Sequence, residues 1–94
     1  LAGVWEEEWP GQTTNDRYRI EVVGEQVTIT PLTNTDKQQV RDVVFRKKQL
    51  DFILELDGSP VYYNLILVTP KLLCGRAKGS ERNFDEPVRW YKIS

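Results

Sequence analysis

Alternation of apolar and polar positions dominates this chain and is clearest over residues 49–68. Apolar side chains share one face at Leu50, Phe52, Leu54 and Leu56, and again at Val61, Tyr63, Leu65 and Leu67. A repeat of two residues is the period of a β-strand with one buried face. Between the two runs, Gly58 can take the positive φ that a short loop demands. The segment therefore predicts a β-hairpin.

The same pattern predicts six further strands. They are Ala2–Trp9, Arg17–Val23, Gln26–Pro31, Val40–Arg46, Leu72–Lys78 and Pro87–Ile93. The run of Glu residues in the first segment also suits a helix, but its short length and its two Trp residues favour a strand. Gly24-Glu25 has the Gly-X form that suits a type II′ turn. Gly75, in the interior of a predicted strand, indicates a bulge or a close approach of two backbones.

Short connections between these strands exclude parallel crossovers and predict an antiparallel meander. Eight consecutive strands close naturally into an up-and-down barrel, and a two-sheet β-sandwich is the alternative. We therefore predict an all-β fold, an eight-stranded antiparallel up-and-down barrel, as a single domain over residues 1–94 that could be cut from a longer chain. The side chains expected to fill much of its interior are Ile20, Val22, Ile29, Phe45, Leu50, Phe52, Leu54, Leu56, Tyr63, Leu65, Leu67 and Trp90.

Composition narrows the function classes. The chain has no His, which removes Ser-His and Cys-His catalysis and nearly every usual zinc site. Its one cysteine, Cys74, excludes an internal disulfide framework and is expected to be a buried or half-buried strand residue. A net charge of −1 offers no basic surface for nucleic acid, and no segment has the length of a membrane span. We predict a non-enzymatic protein without a cofactor.

Loop lengths distinguish the two ends of the predicted barrel. The connections after strands one, three, five and seven emerge at one end, here called the open end, and most of them are long and polar. Loops held on a rigid scaffold often carry binding residues. The candidate ligand-binding residues at the open end are Asn15, Asp16, Asn34, Asp57, Arg82, Asn83 and Phe84. Their oxygens could bind calcium, but they lack EF-hand spacing, so no metal site is predicted.

Three adjacent carboxylates, Glu6, Glu7 and Glu8, lie in the first strand. A strand sends alternate side chains to opposite faces, so the three cannot converge on one ligand. Glu7 shares the inward parity of Trp5 and Trp9. We expect it to lie at a barrel end or to pair with an Arg, because a buried carboxylate needs a partner.

The opening Gly3-Val4-Trp5 resembles the Gly-X-Trp that begins the first strand of lipocalins and their fatty-acid-binding relatives, the calycin-like barrels. The resemblance implies that Trp5 packs across the closed end, with Arg89 of the last strand stacked on it in a cation–π contact. It favours a non-enzymatic binding module for a small apolar ligand near the open end. The alternative is a structural or protein-interaction domain of a larger protein, with a filled core and an exposed apolar patch.

Overall fold

A computed structural model describes residues 1–12, 16–79 and 83–94 of the chain. Within them it has eight strands: β1 (Gly3–Glu8), β2 (Arg17–Val23), β3 (Gln26–Pro31), β4 (Gln38–Arg46), β5 (Gln49–Leu56), β6 (Ser59–Thr69), β7 (Leu72–Gly79) and β8 (Phe84–Lys92). One antiparallel sheet contains them all, in the order β3-β2-β1-β8-β7-β6-β5-β4. The predicted up-and-down barrel is confirmed. The two-sheet sandwich is excluded because every strand belongs to the same sheet.

The barrel is nearly closed, and its seam lies between β3 and β4. These two strands are the ends of the hydrogen-bonded order. They lie beside each other, but no ladder joins them. The connection between them, residues 32–37, is at the open end, and the turns 24–25, 47–48 and 70–71 form the closed end.

Tight turns at the closed end follow the expected backbone chemistry. Gly24 has a φ of 61°, as the first position of a type II′ turn requires. Lys47 and Lys48 have φ values of 52° and 66°, the pair of left-handed residues that makes a type I′ turn. Both turns match the right-handed twist of the strands that they join.

Large side chains fill the interior, as the sequence predicted. The largest fully buried ones are Trp5, Trp90, Tyr18, Ile20, Leu50, Leu65, Leu73 and Val88. Tyr18 stacks on Trp90 at 4.5 Å between ring centroids, and Phe52 stacks on Tyr63 at 4.6 Å. Among the expected interior residues, Phe45, Leu56 and Leu67 are half-buried and Val22 is 44% exposed. Val22 is exposed because the β1–β2 ladder ends at Gly3↔Ile20, so β1 does not extend beside it.

Gly75 marks a close approach of β6 and β7, one of the two outcomes expected for it. A Cβ on Gly75 would overlap the Asn64 carbonyl oxygen and lie 2.8 Å from Leu65 Cα. The irregular register of this strand pair lies elsewhere, between Leu67 and Thr69. Cys74, the residue before Gly75 in β7, is half-buried, as expected. No helix in the described part of the chain could cross a membrane.

Candidate functional site

Two of the predicted open-end residues, Asp16 and Asn34, lie in contact. Asp16 Oδ1 accepts hydrogen bonds from Asn34 Nδ2 at 2.9 Å and from Thr33 Oγ1 at 2.7 Å. The Thr33 hydroxyl in turn accepts a bond of 3.2 Å from the Arg17 amide. These contacts tie the segment before β2 to the segment after β3. The pair therefore links two loops of the scaffold.

The other predicted open-end residues are spread around the rim. Asp57 is exposed in the β5–β6 turn, and its amide donates to the Lys37 carbonyl at 2.9 Å. Asn83 is exposed, with a φ of 51°. Asn15 and Arg82 lie outside the described residues.

Phe84 packs against Trp9 and covers part of the open end. Their ring centroids are 6.0 Å apart and their planes meet at 68°, an edge-to-face arrangement. Both rings are half-buried and contact the core. Phe84 is therefore part of an aromatic cap, a role that its position in a predicted loop did not indicate.

Glu7 is the buried charged residue beneath this cap, with 4% of its surface exposed. Its Oε1 accepts a hydrogen bond from Trp9 Nε1 at 2.6 Å. Its Oε2 accepts bonds from the Tyr63 hydroxyl at 2.7 Å and from Trp90 Nε1 at 2.9 Å. The sequence left open a barrel-end position or an Arg partner for Glu7, and the structure places Trp and Tyr donors around its carboxylate. Its parity signalled burial on the same face as Trp9, but Tyr63 and Trp90 lie 56 and 83 residues further along the chain, too far to be inferred as donors.

Burial raises the pKa of the Glu7 carboxyl above its ordinary value, because the charged form loses its hydration. The three hydrogen bonds oppose this effect, since each stabilises the carboxylate. Burial also raises the pKa of Tyr63, and the neighbouring Glu7 charge acts in the same direction. Trp Nε1 groups only donate, so Tyr63 is the one of these three donors that can accept a hydrogen bond from a protonated Glu7.

Tyr18 lies in the same polar region of the core. Its hydroxyl and Gln38 Oε1 are both buried, and neither makes a hydrogen bond to the described residues. Burial raises the pKa of the Tyr18 hydroxyl, and the nearby Gln38 side chain partly opposes the effect. The Tyr18 hydroxyl on β2 and the Gln38 side chain on β4 therefore lie close together in the interior.

Trp5 and Arg89 do not make the contact that the resemblance implied. Trp5 is fully buried near the closed end, and its Nε1 donates to the Leu1 carbonyl at 2.8 Å. Arg89 is on the exposed outer face of β8, where its guanidinium lies 3.4 Å from the Tyr91 hydroxyl. The two side chains point to opposite sides of the barrel wall. Arg89 is therefore a surface residue, and the expected cation–π contact is corrected.

A cleft with a mixed apolar and polar lining opens at the closed-end part of the seam. This β3–β4 cleft has a volume of about 810 Å³ and is lined by Val22, Gly24, Glu25, Gln26, Val27, Val43, Val44, Phe45 and Arg46. Val22 and Val44 are 44% and 51% exposed, whereas Val27, Val43 and Phe45 are half-buried against the core. This site was not predicted from the sequence. The one indication of it in the chain is that strands three and four are joined by a long loop rather than by a tight turn.

The described residues contain no group of three or more carboxylate or thiol side chains placed to hold a metal ion. Comparison of the chain with protein-family models, with curated proteins and with solved structures gives no match. The likeness to lipocalins therefore rests on architecture alone: an antiparallel, nearly closed eight-stranded barrel.

Proposed function

We propose that this chain is a non-enzymatic protein-interaction domain that binds its partner in the β3–β4 cleft. The observation that carries the proposal is the cleft itself, where side chains of the barrel interior meet solvent because two wall strands are unpaired. Burying a fully exposed apolar side chain contributes about 1.5–3 kcal/mol, and covering the part of Val22 or Phe45 that is still exposed contributes a fraction of that. A partner that covers several of them gains enough to offset part of the cost of association.

The filled interior supports this choice over a ligand held inside the barrel. Trp5, Tyr18 and Trp90 are fully buried inside the barrel. At the open end, where the sequence suggested a small ligand, Trp9 donates a hydrogen bond to Glu7 and packs against Phe84. The proposed binding surface therefore lies at the closed end rather than the open end, and it takes a protein surface rather than a small ligand.

A small apolar molecule in the same cleft is the second candidate. The cleft volume of about 810 Å³ falls within the range of roughly 300–1,000 Å³ that is usual for ligand pockets. The lining is broadly open to solvent, however, and a bound small molecule would keep much of its surface in water. A protein partner can cover more of such an open surface than a small molecule can.

Selection from a phage-displayed library of random heptapeptides tests the proposal while the natural partner is still unidentified. The matched variants are Val22→Asp in the cleft and Val68→Asp on the outer face of β6, where Val68 is 57% exposed. Selected peptides are expected to bind the unmodified protein and Val68→Asp equally, and Val22→Asp at least tenfold more weakly. No enrichment over bare support, or equal binding to Val22→Asp, would overturn the proposal.

Native mass spectrometry with dodecanoate separates the two candidates. We expect no saturable one-to-one adduct with the fatty acid. An adduct that forms with the unmodified protein and with Val68→Asp, but not with Val22→Asp, would instead establish the small-molecule candidate.

A further inference from the structure

Charges are segregated along the axis of this barrel, although the whole chain carries a net charge of only −1. The closed-end segments 44–50, 66–74 and 90–94 contain no Asp or Glu, and their cations are Arg46, Lys47, Lys48, Lys71 and Lys92. The open-end connections, in contrast, carry exposed carboxylates at Asp36 and Asp57. An anionic surface therefore attracts the closed end and repels the open end.

Backbone hydrogen bonds join two of the closed-end turns to neighbouring strands. The Leu67 amide donates to the Lys48 carbonyl at 2.8 Å, and the Lys92 amide donates to the Lys71 carbonyl at 3.0 Å. The 47–48 turn thus lies against the end of β6, which runs directly into the 70–71 turn. The lysines of the two turns therefore belong to one continuous surface.

Exposed aliphatic side chains lie beside these lysines. Ile66 and Val68 of β6 are 52% and 57% exposed, and Pro70 is exposed in the turn that follows. The β6–β7 register shifts between Leu67 and Thr69, and an irregularity of this kind re-aims a side chain of the strand. Cationic and apolar side chains thus share one surface, here called the basic–apolar face: Lys47, Lys48, Ile66, Val68, Pro70 and Lys71.

The lysines of the basic–apolar face are exposed, and the ion pairs found in the described part of the chain do not include them. Their charge is therefore available to an anion outside the molecule. The face is also distinct from the β3–β4 cleft, because none of its residues is among those that line the cleft. The acidic Glu25 lies on the cleft side, in the β2–β3 turn.

We propose that the basic–apolar face docks on the surface of a bilayer that contains anionic lipids. The ammonium groups of its lysines lie at the lipid phosphates, and Val68 and Pro70 enter the headgroup region. Lysine suits this position, because its apolar stem can accompany Val68 while its charge stays in the polar layer. Basic and exposed apolar residues together are a usual means by which a protein lies on a membrane. The inference goes beyond the proposed function and does not depend on the cleft.

Nucleic acid and a second copy of the chain fit this face less well than a bilayer does. The apolar members of the face are aliphatic, whereas single-stranded nucleic acids bind by stacking their bases on aromatic rings. A second copy that used the same face would bring its lysines against these lysines, and like charges repel. A bilayer supplies both the anions and the apolar layer that the face requires.

Co-sedimentation with vesicles at low salt tests the inference. The protein should bind vesicles of phosphatidylcholine with about 30% phosphatidylserine, and vesicles of phosphatidylcholine alone about tenfold or more weakly. Each lysine near an anionic surface raises binding about fivefold, so Lys48→Gln combined with Lys71→Gln should weaken it about 25-fold. Lys37→Gln combined with Lys78→Gln is the matched control. It removes the same charge from the open-end half of the barrel, and its binding should change by less than about twofold.

Val68→Ser tests the apolar half of the face. Each CH₂ group that enters a bilayer raises binding about fourfold, so loss of the exposed part of Val68 should weaken binding about tenfold. Val68→Ile keeps an apolar side chain at this position and should bind at least as well as the unmodified protein. Paramagnetic lipid should broaden the NMR signals of the Val68 and Lys48 amides and leave that of Asp57, at the opposite end, unchanged.

The outcomes separate a bilayer from the other occupants of this face. No vesicle binding, or equal binding by the two double lysine variants, would overturn the inference. Binding that Val68→Ser leaves unchanged, and that polyglutamate or an oligonucleotide matches, would show attraction to polyanions by charge alone and would also overturn it. Self-association without vesicles that Lys48→Gln with Lys71→Gln abolishes would show that a second copy occupies the face, with the same consequence.

This inference and the proposed function can fail separately. Val68→Asp is expected to keep the peptides that bind the cleft and to lose the vesicles. Loss of neither would overturn the docking on lipid and leave the interaction domain standing, whereas vesicle binding without any cleft-binding peptide would overturn the interaction domain alone.

Discussion

The Tyr63 hydroxyl on β6 donates a 2.7 Å hydrogen bond to Glu7 on β1, across 56 residues of sequence. The two strands are not neighbours in the sheet, so the bond spans the interior and links opposite walls. Trp90 Nε1 reaches the same carboxylate oxygen from β8. A buried polar network of this kind favours one arrangement of the core, because every alternative packing leaves a polar atom without its partner.

Replacing Tyr63 by phenylalanine should destabilise the fold while preserving its shape. The change removes a buried donor to Glu7, and leaving a buried polar group under-satisfied costs about 1–3 kcal/mol. Tyr62→Phe is the matched control. Tyr62 is the next residue, 46% exposed, and its change should stay within about 0.5 kcal/mol. Urea unfolding followed by Trp fluorescence measures both. Equal stabilities of the two variants would show that the cross-barrel bond contributes nothing.

The raised pKa of Glu7 predicts a stability that falls as pH rises. Burial lifts the pKa above 4.5 in the folded state, so between 4.5 and the folded pKa the native protein binds more protons than the unfolded chain. The contribution of Glu7 to the free energy of unfolding is complete below pH 4.5. It is lost as pH rises through the pKa that Glu7 has in the folded state. Each unit of elevation corresponds to about 1.4 kcal/mol.

Glu7→Gln isolates this effect from other titrating groups. Glutamine does not titrate, and its amide N–H₂ must face either Trp9 or the pair Tyr63 and Trp90, so the variant is less stable at every pH. The difference in unfolding free energy between the unmodified protein and the variant should shrink from pH 4.5 to pH 8. A difference that grows with pH would mean that the fold stabilises the carboxylate, and that the inferred direction of the pKa is wrong.

Local pattern was sufficient to predict the strands and turns of this barrel. The alternation of apolar and polar residues determines which face of a strand is buried. Gly24 determines its turn, because glycine readily adopts the positive φ that the turn requires. Strand faces and turns are therefore encoded within a few residues. The donors to Glu7 could not be predicted in this way. Trp90 lies directly opposite Glu7 in the β1–β8 ladder, and Tyr63 lies two strands further along the sheet, on β6. Both reach the carboxylate only after β1 pairs with β8, the strand at the far end of the chain.

The exposed Val22 shows the same limit of parity. Alternation correctly assigned Val22 to the inner face, yet burial also requires a neighbouring strand on each side of the wall. The β1–β2 ladder ends at Gly3↔Ile20, so Val22 has β3 on one side and no strand on the other, and the alternation within β2 does not encode where β1 begins. Arg89 likewise occupies an outward position next to the buried Trp90. The family resemblance placed Arg89 against Trp5, although the alternation in β8 turns its side chain to the outer face.

Gly75→Ala should be far more damaging than an alanine at a solvent-exposed glycine. The added Cβ would overlap the Asn64 carbonyl and force β6 and β7 apart, which breaks a ladder in the middle of the sheet. Gly24→Ala is the comparison. Gly24 has a φ of 61°, and no atom lies within 4 Å of the added Cβ. The substitution Gly24→Ala therefore destabilises the fold only through the positive φ that alanine must adopt, by about 1–2 kcal/mol. Thermal unfolding should rank Gly75→Ala well below Gly24→Ala, and the reverse order would contradict the close approach of the two strands.

The type I′ turn at Lys47 and Lys48 offers a stabilising substitution at the rim of the cleft. Both residues hold a positive φ, a conformation that costs a residue with a Cβ about 1–2 kcal/mol. In Lys48→Gly this strain is removed, and the greater freedom of glycine in the unfolded chain offsets about 0.5–1 kcal/mol of the gain. The net increase should raise the Tm by a few degrees, since about 1 kcal/mol shifts the Tm of a domain this size by about 4–8 °C. Lys48→Gln is the control, because it removes the same charge and keeps a Cβ at positive φ. If Lys48→Gln raises the Tm as much as Lys48→Gly, relief of charge repulsion with Lys47 is the cause, and backbone strain is not.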